Sequence, residues 1–203
     1  ARVAICARRA DVMESAAEAI RKATGAEVMT VVADAAQAED MPRFIEETVR
    51  RYGRIDAVVN NAGGTGQRPF DVVDDKAWQN DIDIKVFAQI RSARAAIPHM
   101  KKQGGGRIIN LNMVGAKQPF AGSFPTTISR AAGLALTKAL SKELAPFNIL
   151  VNAVAVGKIK SKQQERNAAR ENMSVADFYG KVGKTVPLNR MGEAEEVANV
   201  IAF

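Results

Sequence analysis

Short runs of apolar and β-branched residues alternate along the chain with stretches in which apolar residues recur at helical spacing. The short runs predict strands at residues 2–6, 26–32, 55–59, 106–112 and 148–155. The intervening stretches predict helices, the longest of them near 74–102 and 124–145. Strands that alternate with helices form a parallel sheet with helices on both faces. The pattern therefore predicts a doubly wound, three-layer α/β fold, in which ligands bind at the carboxyl ends of the strands.

Particular residues mark where the predicted helices begin and end. Gly25 and Gly53 each follow an amphipathic stretch, and glycine suits the left-handed conformation that ends a helix. A last helix is predicted to begin near Glu193. Between 157 and 190 the chain is polar and has little apolar periodicity, so we expect this segment to be a mobile lid over the site.

Composition limits the classes of protein to which the chain can belong. With 203 residues, of which 47% are hydrophobic, it is long enough for one large core and too short for two ordinary domains. Cys6 is the only cysteine and His99 the only histidine, so we predict neither a disulfide nor a metal site. A reducing, cytoplasmic location agrees with this use of cysteine.

Charge and hydropathy bear on the kind of partner. The net charge of +7 would attract an anionic polymer if the basic residues were clustered, but they are interleaved with acidic ones along the sequence. We therefore expect no nucleic-acid partner. The apolar runs are much shorter than the ~20 residues that cross a bilayer, so we expect no membrane partner either.

Several stretches of the chain occur together in one protein family. They are "VVNNAG" at 58–63, "GRIINLN" at 106–112, "SRAAGLALTKALSKELAPFNILVNAV" at 129–154, and "VVAD", which ends at Asp34. In this order and at these intervals they resemble the short-chain dehydrogenase/reductase family. The resemblance extends over nearly the whole chain, and it implies a Rossmann-like domain that binds NAD(P) and a small-molecule substrate.

Parts of that family's domain have no counterpart in this sequence. The family begins with a strand and a glycine-rich turn that binds a pyrophosphate, whereas this chain begins at what resembles the second strand. The family's last strand is missing as well. We therefore expect residues 1–203 to be a single, incomplete NAD(P)-binding domain from a longer protein, with the missing first strand between strands 2–6 and 55–59.

The resemblance also places the family's catalytic positions on this sequence. Lys85 stands where the family has an asparagine, and Asn112 and Met113 stand where it has a pair of serines. Thr126 replaces the tyrosine that acts as general acid and base, and Arg130 replaces the lysine that assists it. All the usual catalytic side chains are therefore substituted.

The chemistry of these side chains limits what they can do. The aliphatic hydroxyl of Thr126 cannot replace a phenol of pKa ~10, so we expect that it is not the proton donor. Arg130 stays charged and keeps the donors needed to bind a ribose. Lys85 can titrate if it is buried beside Arg130, because burial and a like charge both lower its pKa. The structural alternative is that Lys85 is solvated or salt-bridged and that Thr126 caps a helix.

The resemblance assigns cofactor contacts to further positions. Arg8 and Arg9 offer guanidinium groups suited to a 2′-phosphate at a place where NAD-preferring members have an acid. We therefore expect NADP as the cofactor, with NAD less favoured. The remaining implied contacts are Asp34 at the adenine, Asn60, Asn61, Ala62 and Gly63 in the Asn-Asn-Ala-Gly motif, Arg130 at the ribose, and Gly157 at a turn beside the nicotinamide.

Two functions agree with the sequence. The first is a divergent oxidoreductase that binds NADP(H) and acts on a carbonyl or alcohol substrate with altered or weakened catalysis. The second is a non-catalytic binding or assembly subunit with the same fold. In both cases the apolar content of the helices near 74–102 and 124–145 leaves a second face to bury, which predicts a homodimer or homotetramer.

Overall fold

Parallel strands form the centre of the fold. The computed structural model describes residues 1–64 and 66–203. Its strands are β1 Val3–Ala7, β2 Val28–Val32, β3 Ala57–Asn60, β4 Gly106–Met113 and β5 Ile149–Val156. β1 pairs with β2, and β4 pairs with both β3 and β5, in parallel register throughout. The predicted strands and their parallel arrangement are confirmed.

The strands form two groups and not one continuous sheet. One group contains β1 and β2, and the other has the order β3-β4-β5. Within the part of the chain that the structure describes, no ladder of hydrogen bonds joins β1 to β3. The prediction of a further strand between these two segments stays a prediction.

Helices connect the strands and cover them. The described residues form α1 Ala10–Thr24, α2 Asp40–Tyr52, α3 Asp75–Ile82, α4 Ala88–Lys102, α5 Thr126–Leu144, α6 Lys162–Arg170, α7 Val175–Gly183 and α8 Ala194–Ala202. A π-helical segment, Asp83–Phe87, joins α3 to α4, so the long helix predicted near 74–102 is continuous but widened at one turn. α1 packs on β1 and β2, α4 on β3 and β4, and α5 on β4 and β5. This is a Rossmann-like α/β fold in a single domain.

The predicted helix ends are confirmed. Gly25 and Gly53 have φ values of 67° and 77°, and their N–H groups donate to Arg21 O and Val49 O at the ends of α1 and α2. The left-handed conformation strains any residue with a Cβ atom, which explains why glycine stands at both positions. At α8 the side chains and backbone of Glu193 and Glu196 form a reciprocal capping box.

The main core lies between the three-stranded group and helices α2, α4 and α5. Its buried members are Ile45, Ile55, Val58, Ala93, Ala96, Met100, Ile108, Leu144, Ile149 and Val151. A smaller cluster lies beside β1 and β2, and partly buried Cys6 packs against it. Burial, and to a smaller extent Asp40, raises the pKa of the Cys6 thiol to about 11, so this cysteine is protonated at neutral pH.

The segment 157–190 differs from the expectation of a loosely structured lid, because it contains α6 and α7. Each helix buries few side chains, chiefly Ala168 and Phe178, which explains the weak apolar periodicity of the segment. Its two ends are joined by backbone hydrogen bonds of 2.9 Å between Lys160 N and Gly192 O and between Gly192 N and Lys158 O. That the segment acts as a lid stays a prediction.

Two further observations concern membranes and metals. Among the described helices, none is both long and apolar enough to cross a membrane. Within residues 1–64 and 66–203, no three His, Cys, Asp or Glu side chains are grouped to hold a metal ion. The imidazole of His99 instead lies 2.9 Å from Glu46 Oε1.

Candidate active site

Two buried polar networks lie behind the carboxyl ends of β3 and β4. In the first, which we call the amide network, Asn60 Nδ2 donates to Asn110 Oδ1 at 2.8 Å, and Ser92 Oγ donates to Asn60 Oδ1 at 2.7 Å. Asn110 Nδ2 donates in turn to Thr137 Oγ1 at 2.9 Å. The network therefore ties β3 and β4 to α4 and α5 through neutral groups alone. The resemblance assigned Asn60 to the cofactor, but its side chain is hydrogen-bonded to β4 and α4.

The second network is a charged cluster of Asp81, Lys85, Thr126 and Ser129. Lys85 Nζ forms an ion pair with Asp81 Oδ1 and donates a hydrogen bond of 2.7 Å to Thr126 Oγ1. Ser129 Oγ donates to Asp81 Oδ2 at 2.5 Å. Gly66 N also points at Thr126 Oγ1, at 3.4 Å. α3, the π-helical segment and α5 thus bring their polar side chains together in one place.

Burial gives the charged cluster its electrostatic character. The Lys85 side chain has an exposed fraction of 0%, and that of Asp81 is 8%. Burial lowers the pKa of Lys85 from its ordinary value; the ion pair with Asp81 opposes this shift, and the charge of Arg130 adds to it. Lys85 is therefore both salt-bridged and desolvated. A buried lysine of lowered pKa beside a carboxylate is a source and acceptor of protons.

Arg130, on α5, contacts the end of β4 and the backbone at Gly63. Its Nη1 donates to Leu111 O, and its own carbonyl accepts a 2.9 Å hydrogen bond from Asn112 Nδ2. A Cβ atom at Gly63 would lie 2.6 Å from Arg130 Nη2, so glycine at this position makes room for the guanidinium. Burial lowers the pKa of Arg130, and Asp81 opposes the shift. Arg130 thus lies next to the Asn-Asn-Ala-Gly motif, and its binding of a ribose stays a prediction.

A cavity of about 290 Å³ opens in front of the charged cluster. Its wall contains Arg8, Asp34, Gly63 and Asp81, together with the glycines that follow Gly63. Asp81 is the member of the cluster that lines this cavity, whereas Lys85 is enclosed behind it. Any proton that passes between Lys85 and a ligand in the cavity must therefore pass through a neighbour, and Asp81 is in place to carry it.

The donors in this cavity suit a dinucleotide phosphate. Arg8 Nη1 forms a long ion pair of 4.0 Å with Asp34 Oδ2, but the Arg8 side chain is 72% exposed, so most of its guanidinium group remains accessible to an anion. Backbone without side chains at Gly63, Gly64 and Gly66 lets an extended ligand approach closely. Arg9 is the N-cap residue of α1 and does not belong to the cavity wall. The two arginines predicted as one phosphate site are therefore not equivalent.

The remaining predicted site residues have varied surroundings. Thr126 is the first residue of α5 and follows the N-cap residue Pro125, so the structural alternative of a capping threonine does not apply, and its Oγ1 accepts a hydrogen bond from Lys85 Nζ. Asn112 is buried, and its Oδ1 accepts a 2.8 Å bond from Met113 N. Asn61, Ala62 and Gly157 are exposed after β3 and β5. Met113 is partly buried at the end of β4 and does not line the cavity in front of Asp81.

Sequence reasoning missed Asp81 and Ser129. A signal for Asp81 was present, because it precedes Lys85 at the i,i+4 spacing that places two side chains on the same face of a helix. Ser129 had no such signal. Its contact with Asp81 joins residues separated by 48 positions, and only the packing of α3 against α5 creates it.

Comparisons with known proteins show which sequences and structures this chain is similar to. The family model described as enoyl-(acyl carrier protein) reductase matches residues 1–203. Human dehydrogenase/reductase SDR family member 4 is 33% identical over 183 residues, which cover 88% of this chain and 63% of that relative. The chain thus spans less than two thirds of the length of that curated relative.

Solved structures with the same fold contain a bound nicotinamide cofactor. L-sorbose reductase from Gluconobacter frateurii, complexed with NADPH and L-sorbose, superposes with a TM-score of 0.93 at 28% identity, over 100% of this chain and 79% of that one. An NADPH-bound short-chain oxidoreductase from Pseudomonas aeruginosa, described as having an atypical catalytic center, has a TM-score of 0.92 at 30% identity over the same shares.

Proposed function

The chain belongs to the short-chain dehydrogenase/reductase family, and on this premise we propose that it is an NADP(H)-dependent oxidoreductase that interconverts a carbonyl compound and an alcohol. The observation that carries the proposal is the charged cluster, in which a buried lysine is paired with a carboxylate at the cavity wall. We further propose that this pair takes the place of the family's tyrosine and lysine.

The cofactor is proposed from the surroundings of the cavity. Arg8 would bind the 2′-phosphate of NADP, and Arg130 beside Gly63 would bind the nicotinamide ribose. The two solved relatives with NADPH support this assignment, since each has the fold of this chain over its whole length. Bound NADPH would supply a hydride to the carbonyl carbon of the substrate.

The chain's own residues would supply the matching proton. Asp81 lies at the cavity wall, so its carboxylate would accept a proton from the ammonium group of Lys85 and pass it to the substrate oxygen as the hydride arrives. Asp81 would be a carboxylate again after the transfer, and Lys85 would be a neutral amine, which its lowered pKa favours. Thr126 and Ser129 would hold the two groups in place through their hydroxyls. Oxidation of an alcohol would run the same transfers in reverse.

The proposal is tested first by binding and turnover. The protein is titrated with NADPH and with NADH, and NADPH oxidation is then followed with a panel of ketones and aldehydes. We expect tighter binding of NADPH and measurable turnover of at least one carbonyl compound. Tight NADPH binding without turnover of any compound would favour the alternative of a non-catalytic binding subunit.

The two arginines provide a matched pair of variants for the cofactor assignment. Arg8→Gln should weaken the binding of NADPH by about 1.5–3 kcal/mol, the typical contribution of a charged hydrogen bond, and should weaken the binding of NADH much less. Arg9→Gln serves as the control, because Arg9 lies outside the cavity wall. Equal effects of the two substitutions, or equal affinity of the parent protein for both cofactors, would contradict the assignment.

We also propose that the protein forms a homodimer or homotetramer through the helices near 74–102 and 124–145. Phe87 and Ile128 support this, since both are large apolar side chains that remain exposed on these helices. Sedimentation of the dilute protein should show an oligomer. A monomer at micromolar concentration would refute this proposal.

A further inference from the structure

A second cavity, of about 320 Å³, lies between α6, α7 and the loop that contains Gln67. Three cationic side chains line it, those of Lys158, Arg170 and Lys181. Among the described residues of its wall Glu171 is the one acid, and its Oε2 lies 2.6 Å from Lys181 Nζ. The charge of Glu171 is therefore already compensated, and the cavity keeps a positive excess.

The two other cations of the cavity differ from their neighbours in lacking a partner. Within the described part of the chain, Lys158 and Arg170 form no ion pair, whereas Lys160 pairs with Glu193 and Lys162 pairs with Glu165. Both residues are exposed at the cavity, so two positive charges face it without an acidic partner, and an anion bound there would contact both of them. The charge pattern thus indicates an anionic ligand.

The uncharged residues of this cavity indicate the rest of the ligand. Gln163, Gln164 and Asn167 present amide groups, and the only bond among them joins Asn167 Nδ2 to Gln164 Oε1 at 3.2 Å, within the described residues. The other amide donors and acceptors are available to hydroxyl groups. The buried ring of Phe178 and the side chain of Val182 supply a small apolar surface. Such a mixture suits a compact, hydroxylated molecule.

We propose that this cavity binds the carboxylate or phosphate end of a small hydroxylated carbonyl substrate, with Arg170 and Lys158 as the residues that contact the oxyanion. The inference rests on the proposed oxidoreductase function. Gln67 lines this cavity, and the adjacent Gly66 lines the cavity in front of Asp81 and donates to Thr126 Oγ1. One loop therefore lines both cavities, and the carbonyl end of a substrate held at the oxyanion site would extend toward Asp81, beside the bound cofactor.

Binding of unreactive compounds tests the oxyanion site without turnover. D-sorbitol, its phosphate monoester D-sorbitol 6-phosphate and the carboxylate D-gluconate are titrated by calorimetry in the presence of NADPH. We expect an oxyanion compound to bind about tenfold or more tightly than D-sorbitol, and Arg170→Gln to remove this preference. Tighter binding of D-gluconate would indicate a carboxylate site, and tighter binding of D-sorbitol 6-phosphate would indicate a phosphate site. Arg166→Gln is the control, since Arg166 lies on the same helix but not at the cavity.

Turnover tests the link to the reaction. D-fructose, D-fructose 6-phosphate and 5-keto-D-gluconate are compared as substrates by kcat/KM. Arg170→Gln and Lys158→Gln should lower kcat/KM for an anionic ketone about tenfold more than kcat/KM for D-fructose, while Arg166→Gln should change neither value.

The outcomes separate this inference from the proposed function. Equal binding of anionic and neutral compounds, or equal affinity of an anion for the parent and Arg170→Gln, would overturn the oxyanion site, even if neutral ketones are reduced. Arg170-dependent anion binding with no reduction of any carbonyl compound would refute the oxidoreductase proposal and retain the oxyanion site.

Discussion

The amide network and the charged cluster are both buried, and both join residues of α5 to the elements beside it, yet they differ in charge. The amide network of Asn60, Ser92, Asn110 and Thr137 satisfies its groups with neutral hydrogen bonds. The charged cluster contains an ion pair, one member of which lines a cavity. A neutral network fixes geometry and is indifferent to pH, whereas a buried ion pair exchanges protons and is costly to desolvate. We infer that the first network holds the frame and the second performs the chemistry.

The largest effect should come from Asp81→Asn, which keeps the shape of the side chain and removes the group that contacts the substrate oxygen. We expect kcat/KM to fall roughly 10³-fold, within the range for loss of a general acid or base. Asp83→Asn is the matched control, since Asp83 pairs with Arg91 at 3.6 Å and does not line the cavity. Similar activity of the two variants would contradict the role of Asp81.

Lys85→Met should have the next largest effect, because it removes the source of the proton and keeps the length of the side chain. We expect kcat/KM for reduction to fall about 10²-fold. In the parent protein, reduction should decline as pH rises through the lowered pKa of Lys85, since the ammonium form is consumed. The variant should lose that decline. Lys102→Met, at the exposed end of α4, should leave the pH profile as it is.

Asn110→Leu should separate stability from catalysis. It leaves Asn60 and Thr137 without their partner in a buried position, which should lower the free energy of unfolding by about 1–3 kcal/mol. Because no titrating group is involved, the loss should be the same at neutral and at alkaline pH. Denaturant unfolding at both pH values measures it. A pH-dependent loss would break the distinction between the two networks.

Thr126→Val should have a smaller effect on turnover. Thr126 accepts a hydrogen bond from Lys85 but does not line the cavity, so we expect kcat/KM to fall less than about tenfold. Steady-state kinetics at neutral pH provide the measurement. If turnover disappears, the proton passes through the threonine hydroxyl and not through Asp81.

The smallest effect concerns stability at alkaline pH. Burial lowers the pKa of Lys85 below its ordinary 10.5, so between these two values the unfolded chain binds more protons than the folded protein. Lys85 should therefore make the free energy of unfolding rise with pH across that window. Denaturant unfolding at several pH values measures this: the free energy of unfolding of the parent, minus that of Lys85→Met, should rise with pH across the window. A difference that falls with pH would show that the sign is wrong.

The fold was largely predictable from the sequence because its signals are local. Apolar runs located the five strands within two residues of their observed ends, and Gly25 and Gly53 marked the ends of two helices. The segment 157–190 was less predictable. α6 and α7 bury so few side chains that their amphipathic pattern is weak, and a weak pattern cannot distinguish a helix from a loop.

The sequence by itself determined the order of strands and helices and which residues stand at the positions that match the family's motifs, among them Lys85, Thr126 and Arg130, because both are read along the chain. Only the tertiary structure decided which side chains surround them. Lys85 and Thr126 are 41 positions apart, and Asp81 and Ser129 are 48 positions apart. Their contacts, and the exposure of Asp81 to a cavity that does not reach Lys85, exist only where α3 and α5 pack together. Burial and proximity set the charge state of a buried lysine, and neither property is encoded at a single position.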